Sequence, residues 1–232
     1  MRASLSTKTI KRSTACVAAI AIVLVSFSLL GRATAPQVPA NTWAPTSDLS
    51  VARAGASAVL LYDGHMLITG GKTDGGVSAS AERFSPTGGA FLSTPSMATA
   101  RANHTSTLLD DGRVLVAGGV GADGQALSAA EIYDPGTNSW MAAAPLYRAR
   151  AGHTATTLFD GRLVVAGGDD AGAPIDSLEL FDPYAGVFTL ATARLSHART
   201  GHAAALSYDG LVVIAGGFDG AHALASVDVY DP

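Results

Sequence analysis

Short apolar runs without polar interruption recur along this chain, and each ends in a pair of glycines. In one copy the strand is residues 113–117 and its apolar run begins at Val114; an Asp-Asp-Gly turn and a β-branched, small-residue segment at 103–109 precede it. An apolar run that does not alternate with polar residues is typical of a strand buried on both faces. The Asp-Gly pair predicts a tight hairpin. An alternating segment at 128–133 and a turn before Trp140 predict a third and a fourth strand.

This pattern occurs four times, with a spacing of 48 to 49 residues. Every copy has an arginine, then an Asp-Gly pair, a double glycine, and finally an acidic residue. The arginines are Arg53, Arg101, Arg150 and Arg199, and the acids are Glu82, Glu131, Glu179 and Asp228. A period of about 40–50 residues with four strands per repeat predicts an all-β fold, a β-propeller. The blades are expected at about residues 53–100, 101–149, 150–198 and 199–232.

The fourth copy reaches Pro232 after its third strand, and Trp43 predicts where the missing strand lies. Trp43 precedes Arg53 by ten residues, as Trp140 precedes Arg150. Residues 40–48 are therefore predicted to complete the last of four four-stranded blades and to close the ring, which would remove an exposed sheet edge. An incomplete ring, or one completed by assembly with a second copy, is the alternative.

The first 35 residues have the composition of a secretory leader. Basic residues precede an apolar stretch from Ala15 to Leu30 and a small-residue end at Ala33-Thr34-Ala35, as in a cleavable signal peptide. An uncleaved membrane anchor is the alternative, and Cys16 is interpreted as an apolar leader residue. The sequence thus predicts a signal segment at 1–35, a propeller at 36–232, and a secreted, periplasmic or cell-envelope location.

Charge excludes one class of partner. After the leader the chain has ten basic and nineteen acidic residues, a net charge of −9, and no cysteine. Nucleic-acid binding needs clustered Lys and Arg on one surface, so we expect no nucleic-acid partner. Without disulfides, the exported fold must be held by its core.

The double glycine Gly118-Gly119, followed by the segment from Tyr133 to Trp140, resembles the kelch repeat. The resemblance covers about residues 43–232, with Phe91 and Phe188 in place of the tryptophan and Ser85 in place of an aspartate. It implies a propeller, usually of six or seven blades, so a fragment of a larger ring is a further alternative. Some exported kelch-like propellers epimerise or oxidise sugars. The copper-radical oxidases among them use a cysteine–tyrosine pair, which this chain lacks after its leader.

The repeated polar residues are predicted to be structural. Each arginine is expected to pair with the acidic residue of its own repeat, because a feature present in every copy is expected to serve folding, which every copy shares. The alternative is a ring of ion pairs that binds an anionic or sugar ligand. His104, His153 and His202 share one position, at which the first copy has Ala56. We expect each to bond within its own blade rather than to a metal. The glycine-rich segment at 119–124 lacks the helix of a dinucleotide site, and no cofactor is predicted.

The loops after the double glycines differ most between copies, and variable loops on a rigid scaffold are where binding normally resides. The hypothesis is a non-catalytic module that recognises a protein or a glycan through these loops and those between blades. The alternative is a sugar-active enzyme, which would need converging acid and base groups. A membrane is expected only if the leader stays attached, and a homo-oligomer only if the ring is incomplete. The candidate binding residues are Lys72, Asp74, Asp123, Asp169, Asp170, Phe218, Asp219 and His222.

Overall fold

The computed structural model describes residues 41–232, and this part of the chain is all-β. Four antiparallel sheets form the blades of a four-bladed β-propeller, as the repeat predicts. The first blade comprises β1 (Ser57–Leu60), β2 (Met66–Thr69), a small hairpin of β3 (Lys72–Thr73) and β4 (Gly76–Val77), β5 (Ala81–Ser85) and β6 (Ala90–Leu92). The second comprises β7 (Thr105–Leu108), β8 (Val114–Ala117), β9 (Ala130–Asp134) and β10 (Ser139–Ala143).

The third blade repeats this order and the fourth lacks one strand. The third comprises β11 (Thr154–Thr157), β12 (Leu163–Ala166), the hairpin of β13 (Asp169–Asp170) and β14 (Ala173–Pro174), β15 (Ser177–Asp182) and β16 (Val187–Arg194). The fourth comprises β17 (Ala203–Leu206), β18 (Val212–Ala215) and β19 (Val227–Tyr230). Residues 41–232 contain no helix that is long and apolar enough to cross a membrane. The proposed leader at 1–35 lies outside the described residues.

The second strand of each middle blade is buried on both faces, as its uninterrupted apolar run predicts. All four residues of β8 and all four of β12 are buried. Their side chains alternate between two junctions: Val114 and Val116 pack towards blade 1, whereas Leu115 and Ala117 pack towards blade 3. The described core therefore consists of three apolar clusters, one at each junction between consecutive blades.

An aromatic pair fastens the outer strand of each of the first three blades. The rings of Tyr133 and Trp140 lie 4.9 Å apart in a tilted arrangement, and Trp140 Nε1 donates to the Pro95 carbonyl at 2.8 Å. Equivalent pairs join Phe84 to Phe91 and Phe181 to Phe188. Phenylalanine at the tryptophan position thus keeps the ring contact and loses only the indole hydrogen bond.

The prediction that residues 40–48 complete the fourth blade is wrong. The sheet of blade 4 has three strands, residues 41–48 form no strand, and the Trp43 side chain is fully exposed at 102%. This segment lies against blade 1 instead, where the hydroxyl groups of Thr46 and Ser47 donate to the Gly89 carbonyl. Sequence spacing alone could not reveal this, because the ten-residue interval says nothing about which blade holds the segment.

Candidate functional site

The four repeated arginines form the predicted ion pairs, and the pairs lie inside the blades. Arg150 Nη2 lies 2.6 Å from Glu179 Oε1, and both side chains are fully buried. Arg150 Nη1 donates to the carbonyls of Gly167 and Ser177 at 2.7 and 3.1 Å. Burial lowers the pKa of Arg150, and the Glu179 carboxylate opposes that shift. These guanidinium groups brace the double glycine against the third strand, and the bonds that do so are donated by their Nη atoms within the blade.

The partner carboxylates connect each blade to the chain that enters it. Glu131 accepts backbone N–H bonds from Ala98 and Thr99 at 2.7 and 3.0 Å, in the segment just before Arg101. Glu179 accepts equivalent bonds from Tyr147 and Arg148 at 2.7 and 3.1 Å. Both oxygens of Glu131 and both oxygens of Glu179 are therefore occupied by contacts within the protein, and neither carboxylate is open to a substrate.

The three equivalent histidines bond to the preceding blade and not to their own, which corrects the expectation from sequence. Nε2 of His153 lies 3.0 Å from Thr105 Oγ1, and Nε2 of His202 lies 3.0 Å from Thr154 Oγ1. His104 Nε2 lies 2.8 Å from Thr69 Oγ1. Burial, together with the positive charge of the arginine of the same repeat, lowers the pKa of His104 and of His153 to about 3 and that of His202 to about 4. The imidazoles are therefore neutral cross-blade fasteners. Among residues 41–232, no group of three or more potential ligands could hold a metal.

In the first three double glycines, the first glycine makes room for the histidine of the next blade. A Cβ on Gly118 would lie 2.7 Å from His153 Cε1 and 2.5 Å from the Arg150 carbonyl oxygen. Gly70 and Gly167 face His104 and His202 in the same way. The double glycine is thus a requirement of the junction between blades rather than of a ligand site.

The candidate binding residues lie on one face of the propeller, in the segments that follow the double glycines. Each segment folds back as a short hairpin or a bridged turn, where the sequence predicted only a loop. Each also pairs with the residue after the repeated arginine, in the bridges Ala54–Lys72, Ala102–Val120, Ala151–Asp169 and Thr200–Phe218. We call this surface the hairpin face. These backbone bonds fix its segments to the inner edge of each blade.

Three of the five candidate aspartates shape turns. Oδ1 of Asp123 accepts the N–H of Gln125 at 3.0 Å, and Oδ1 of Asp169 accepts that of Gly172 at 2.9 Å. Asp219 accepts the N–H groups of His222 and Ala221, and these bonds lower its pKa. Carboxylates that close their own turns are typical of aspartate in loops.

The remaining candidates are freer. Asp170 lies 3.8 Å from Arg148 Nε, the Phe218 ring is 44% exposed, and His222 is exposed on the hairpin of blade 4. Asp74 and Lys72 are exposed on the hairpin of blade 1 and have no ion-pair partner among residues 41–232. The structure therefore spreads the predicted residues along the whole face rather than gathering them at one point.

A cleft of about 510 Å³ lies between the hairpins of blades 1 and 2. Lys72 is the only predicted residue that lines it; the other walls come from Asn103, Val77, Val120 and nearby glycines and alanines. Sequence reasoning missed Asn103, which has a positive φ of 54° and an exposed side chain. The signal was present, because the other copies have glycine at that position: Gly55, Gly152 and Gly201.

The opposite face carries exposed aromatic rings that the sequence analysis also missed. Tyr62, Phe159 and Tyr208 each precede an Asp-Gly turn and are 71%, 73% and 97% exposed. The recurrence of an aromatic residue at this position in three copies was the available signal. A Cβ on Gly112 would lie 3.3 Å from the Tyr62 ring, which shows that the ring covers the next blade's turn. We call this surface the turn face. It has its own cleft of about 330 Å³ beside Tyr62 and Arg113.

Comparison with known proteins supports the interpretation of the repeat. The family described as Kelch motif matches residues 101–146 and 199–232, which are most of the second copy and all of the fourth. The solved structure of YjhT superposes with a TM-score of 0.67 at 18% identity and covers 78% of this chain. The chain spans 64% of YjhT, and at that identity the likeness shows the fold alone. No curated protein sequence matches the chain.

Proposed function

We propose that this kelch-repeat β-propeller is an exported, non-catalytic binding module that recognises a segment of a partner protein on its hairpin face. The cleft of about 510 Å³ between the first two hairpins carries this proposal. Its volume lies within the range of about 300–1,000 Å³ of ligand pockets in proteins. The repeated ionisable residues, by contrast, are engaged in holding the blades together.

The cleft has preformed walls. The N–H of Lys72 donates to the Ala54 carbonyl at 2.7 Å, and the Ala54 N–H donates back to the Lys72 carbonyl at 2.9 Å. Val120 and Ala102 exchange the same pair of bonds at 2.7 and 3.0 Å. A rigid site loses little conformational freedom on binding, which favours affinity.

The chemistry of the lining suits an extended acidic peptide. Val77 and Val120 offer apolar surface, the Asn103 amide can donate and accept hydrogen bonds, and the small residues let a backbone approach closely. Lys72 is the only lysine after residue 11, and it supplies the cleft's one cationic group. We therefore expect the bound segment to place a carboxylate near Lys72 and a small apolar side chain between the valines.

The test uses residues 36–232 as bait against the proteins of the native cell envelope, followed by affinity measurement with the captured partner. Lys72→Glu should weaken binding at least tenfold by reversing the charge at the cleft. Phe218→Ala, on the hairpin of blade 4, is the matched control on the same face and should leave affinity unchanged. Retained binding by Lys72→Glu together with loss in Phe218→Ala would move the site to blade 4 and contradict the cleft assignment.

A glycan is the second candidate ligand, and the exposed rings of the turn face favour it. The apolar face of a sugar ring buries well against an aromatic ring whose edge remains in water. The cleft of the hairpin face has no aromatic lining, whereas Tyr62, Phe159 and Tyr208 are exposed on the turn face. Glycan-array binding that disappears in Tyr62→Ala and persists in Lys72→Glu would identify this second function.

The sugar-active enzyme is the competing hypothesis. It requires an acid and a base free to reach the substrate, and the carboxylates of the repeats instead accept bonds from arginine and from backbone N–H groups. Turnover of any sugar by purified protein, with a bell-shaped pH profile, would overturn the non-catalytic assignment. Export is tested separately, by the mass of the mature N-terminus in the cell envelope.

A further inference from the structure

The two ends of the blade series expose faces that the middle blades bury. In blade 1, Met66 is 39% exposed, whereas its equivalent in blade 2, Val114, is fully buried. In blade 4, Val227 is 58% exposed, whereas its equivalent in blade 3, Leu178, is 1% exposed. Leu60 and Val229 are each 60% exposed beside them. Both ends therefore present apolar surface of the kind that forms the three internal junctions.

The backbone is also left open at these ends. At every internal junction, the second glycine of one blade donates its N–H to the arginine carbonyl of the next; the three bonds, each 2.8 Å, are Gly71 to Arg101, Gly119 to Arg150 and Gly168 to Arg199. Within residues 41–232, the N–H of Gly217 and the carbonyl of Arg53 have no such bond. The donor at one end and the acceptor at the other are the two halves of a fourth junction.

The two ends lack the polar side chains of the internal junctions: blade 1 lacks the histidine, and blade 4 lacks the hydroxyl group that would bond to it. Each internal junction pairs a histidine with a hydroxyl group of the preceding blade. Blade 1 has Ala56 in place of the histidine, and blade 4 has Ala203 where blade 3 has Thr154. Blade 4 also has Ala215 where blade 1 has Thr69. If a blade with histidine at this position packed on blade 4, its Nε2 atom would be buried without a hydrogen-bond partner. A blade with alanine at this position, such as blade 1, would bury no unpaired atom there.

We propose that the open face of blade 4 packs on the open face of blade 1 of a second copy of this chain. The junction continues the interface already repeated three times within the chain, with the Gly217 N–H donating to the Arg53 carbonyl of the partner copy. Because the two faces differ, the contact is head-to-tail, and it either closes into a ring or extends to a third copy. This inference does not rest on the proposed function.

The test is the mass of residues 36–232 in solution, measured by sedimentation and light scattering over a wide concentration range. Wild type should associate. Val227→Glu/Val229→Glu should be monomeric, as should Leu60→Glu/Met66→Glu, with association weakened at least about a hundredfold by the buried charges. An equal mixture of the two variants should form a heterodimer, because each retains the face that the other has lost. Phe159→Glu, an exposed aromatic on the turn face, is the control and should associate like wild type.

A substitution pair tests the matched alanines. Ala56→His alone should weaken association at least tenfold, because its Nε2 would meet Ala203 and not a hydroxyl group. Adding Ala203→Thr should restore association, since it recreates the pair formed by His202 and Thr154. A monomeric wild type, association that survives both double variants, or variants that fail to combine on mixing would each overturn the proposal. If blades of a different protein cover these faces, the wild type alone should be monomeric, which is the first of those outcomes.

Discussion

Blade 3 and blade 4 are built from closely similar repeats and yet have different surroundings. Blade 3 is covered on both faces, and all four residues of its second strand are buried. The equivalent strand of blade 4 alternates between buried and half-buried residues, because only one of its faces meets another blade. The same apolar sequence pattern is thus a core in one blade and a surface in the other. A repeat protein is stabilised mainly by the junctions between neighbours, so the junctions are where substitutions should act most strongly.

Acidification should have the largest effect, because it acts on all three junctions at once. Burial lowers the pKa of His104 and of His153 to about 3, and that of His202 to about 4, from an ordinary value of 6.5. The unfolded chain therefore binds more protons than the folded one at mildly acidic pH. The stability contributed by neutral histidine is fully present above about pH 6.5 and is lost as pH falls towards about 3 to 4.

The measurement is the free energy of unfolding as a function of pH. Near pH 5 these histidines should contribute roughly three protons to the uptake on unfolding, each worth about 1.4 kcal/mol per pH unit. His153→Gln can still bond Thr105 and should remove about one of those protons. A pH slope unaltered by His153→Gln would contradict the assignment of His153 as a neutral junction residue.

The buried ion pairs come next. Glu179→Ala should cost about 3–5 kcal/mol, because it leaves Arg150 charged and buried without its partner. Asp228→Ala should cost less, about 2 kcal/mol, because the Asp228 side chain is 21% exposed and water can reach the vacated position. Urea titration of both variants gives the comparison. Equal losses in the two would show that the open end of blade 4 does not weaken its ion pair.

The double glycines provide a matched pair for steric crowding. Gly118 and Gly216 have similar φ values of 64° and 69°, so alanine at either site carries the same backbone strain, about 1–2 kcal/mol. At Gly118 the new Cβ would also lie 2.7 Å from His153 Cε1, whereas at Gly216 its nearest neighbour would be the Leu224 carbonyl at 3.7 Å. Gly118→Ala should therefore lose about 1–3 kcal/mol more than Gly216→Ala. Thermal melting of both variants measures that difference.

The periodic part of the fold could be predicted from sequence because each anchor serves contacts that recur in every blade. Arg150 and Glu179 pair as their phase predicted, and the strand order within each blade follows from the hairpin turns. What could not be predicted depends on neighbours rather than on the repeat itself. The threonine partner of each histidine belongs to the preceding blade, and nothing in one repeat identifies it. The cleft beside Lys72 likewise arises between two hairpins, each of which appears as an ordinary loop in sequence.

The smallest predicted effect on stability is that of Trp43→Ala, and comparison with Trp140→Ala makes it informative. Trp140 stacks on Tyr133 and donates a hydrogen bond to Pro95, so Trp140→Ala should cost about 3 kcal/mol, the lower end for an aromatic truncation. Trp43 occupies the same position relative to its arginine and is fully exposed, because blade 1 and not blade 4 holds its segment. Trp43→Ala should therefore change the free energy of unfolding by less than about 0.5 kcal/mol. A loss comparable to that of Trp140→Ala would mean that residues 41–48 pair with β19 after all, and that the ring is closed by its own N-terminal strand.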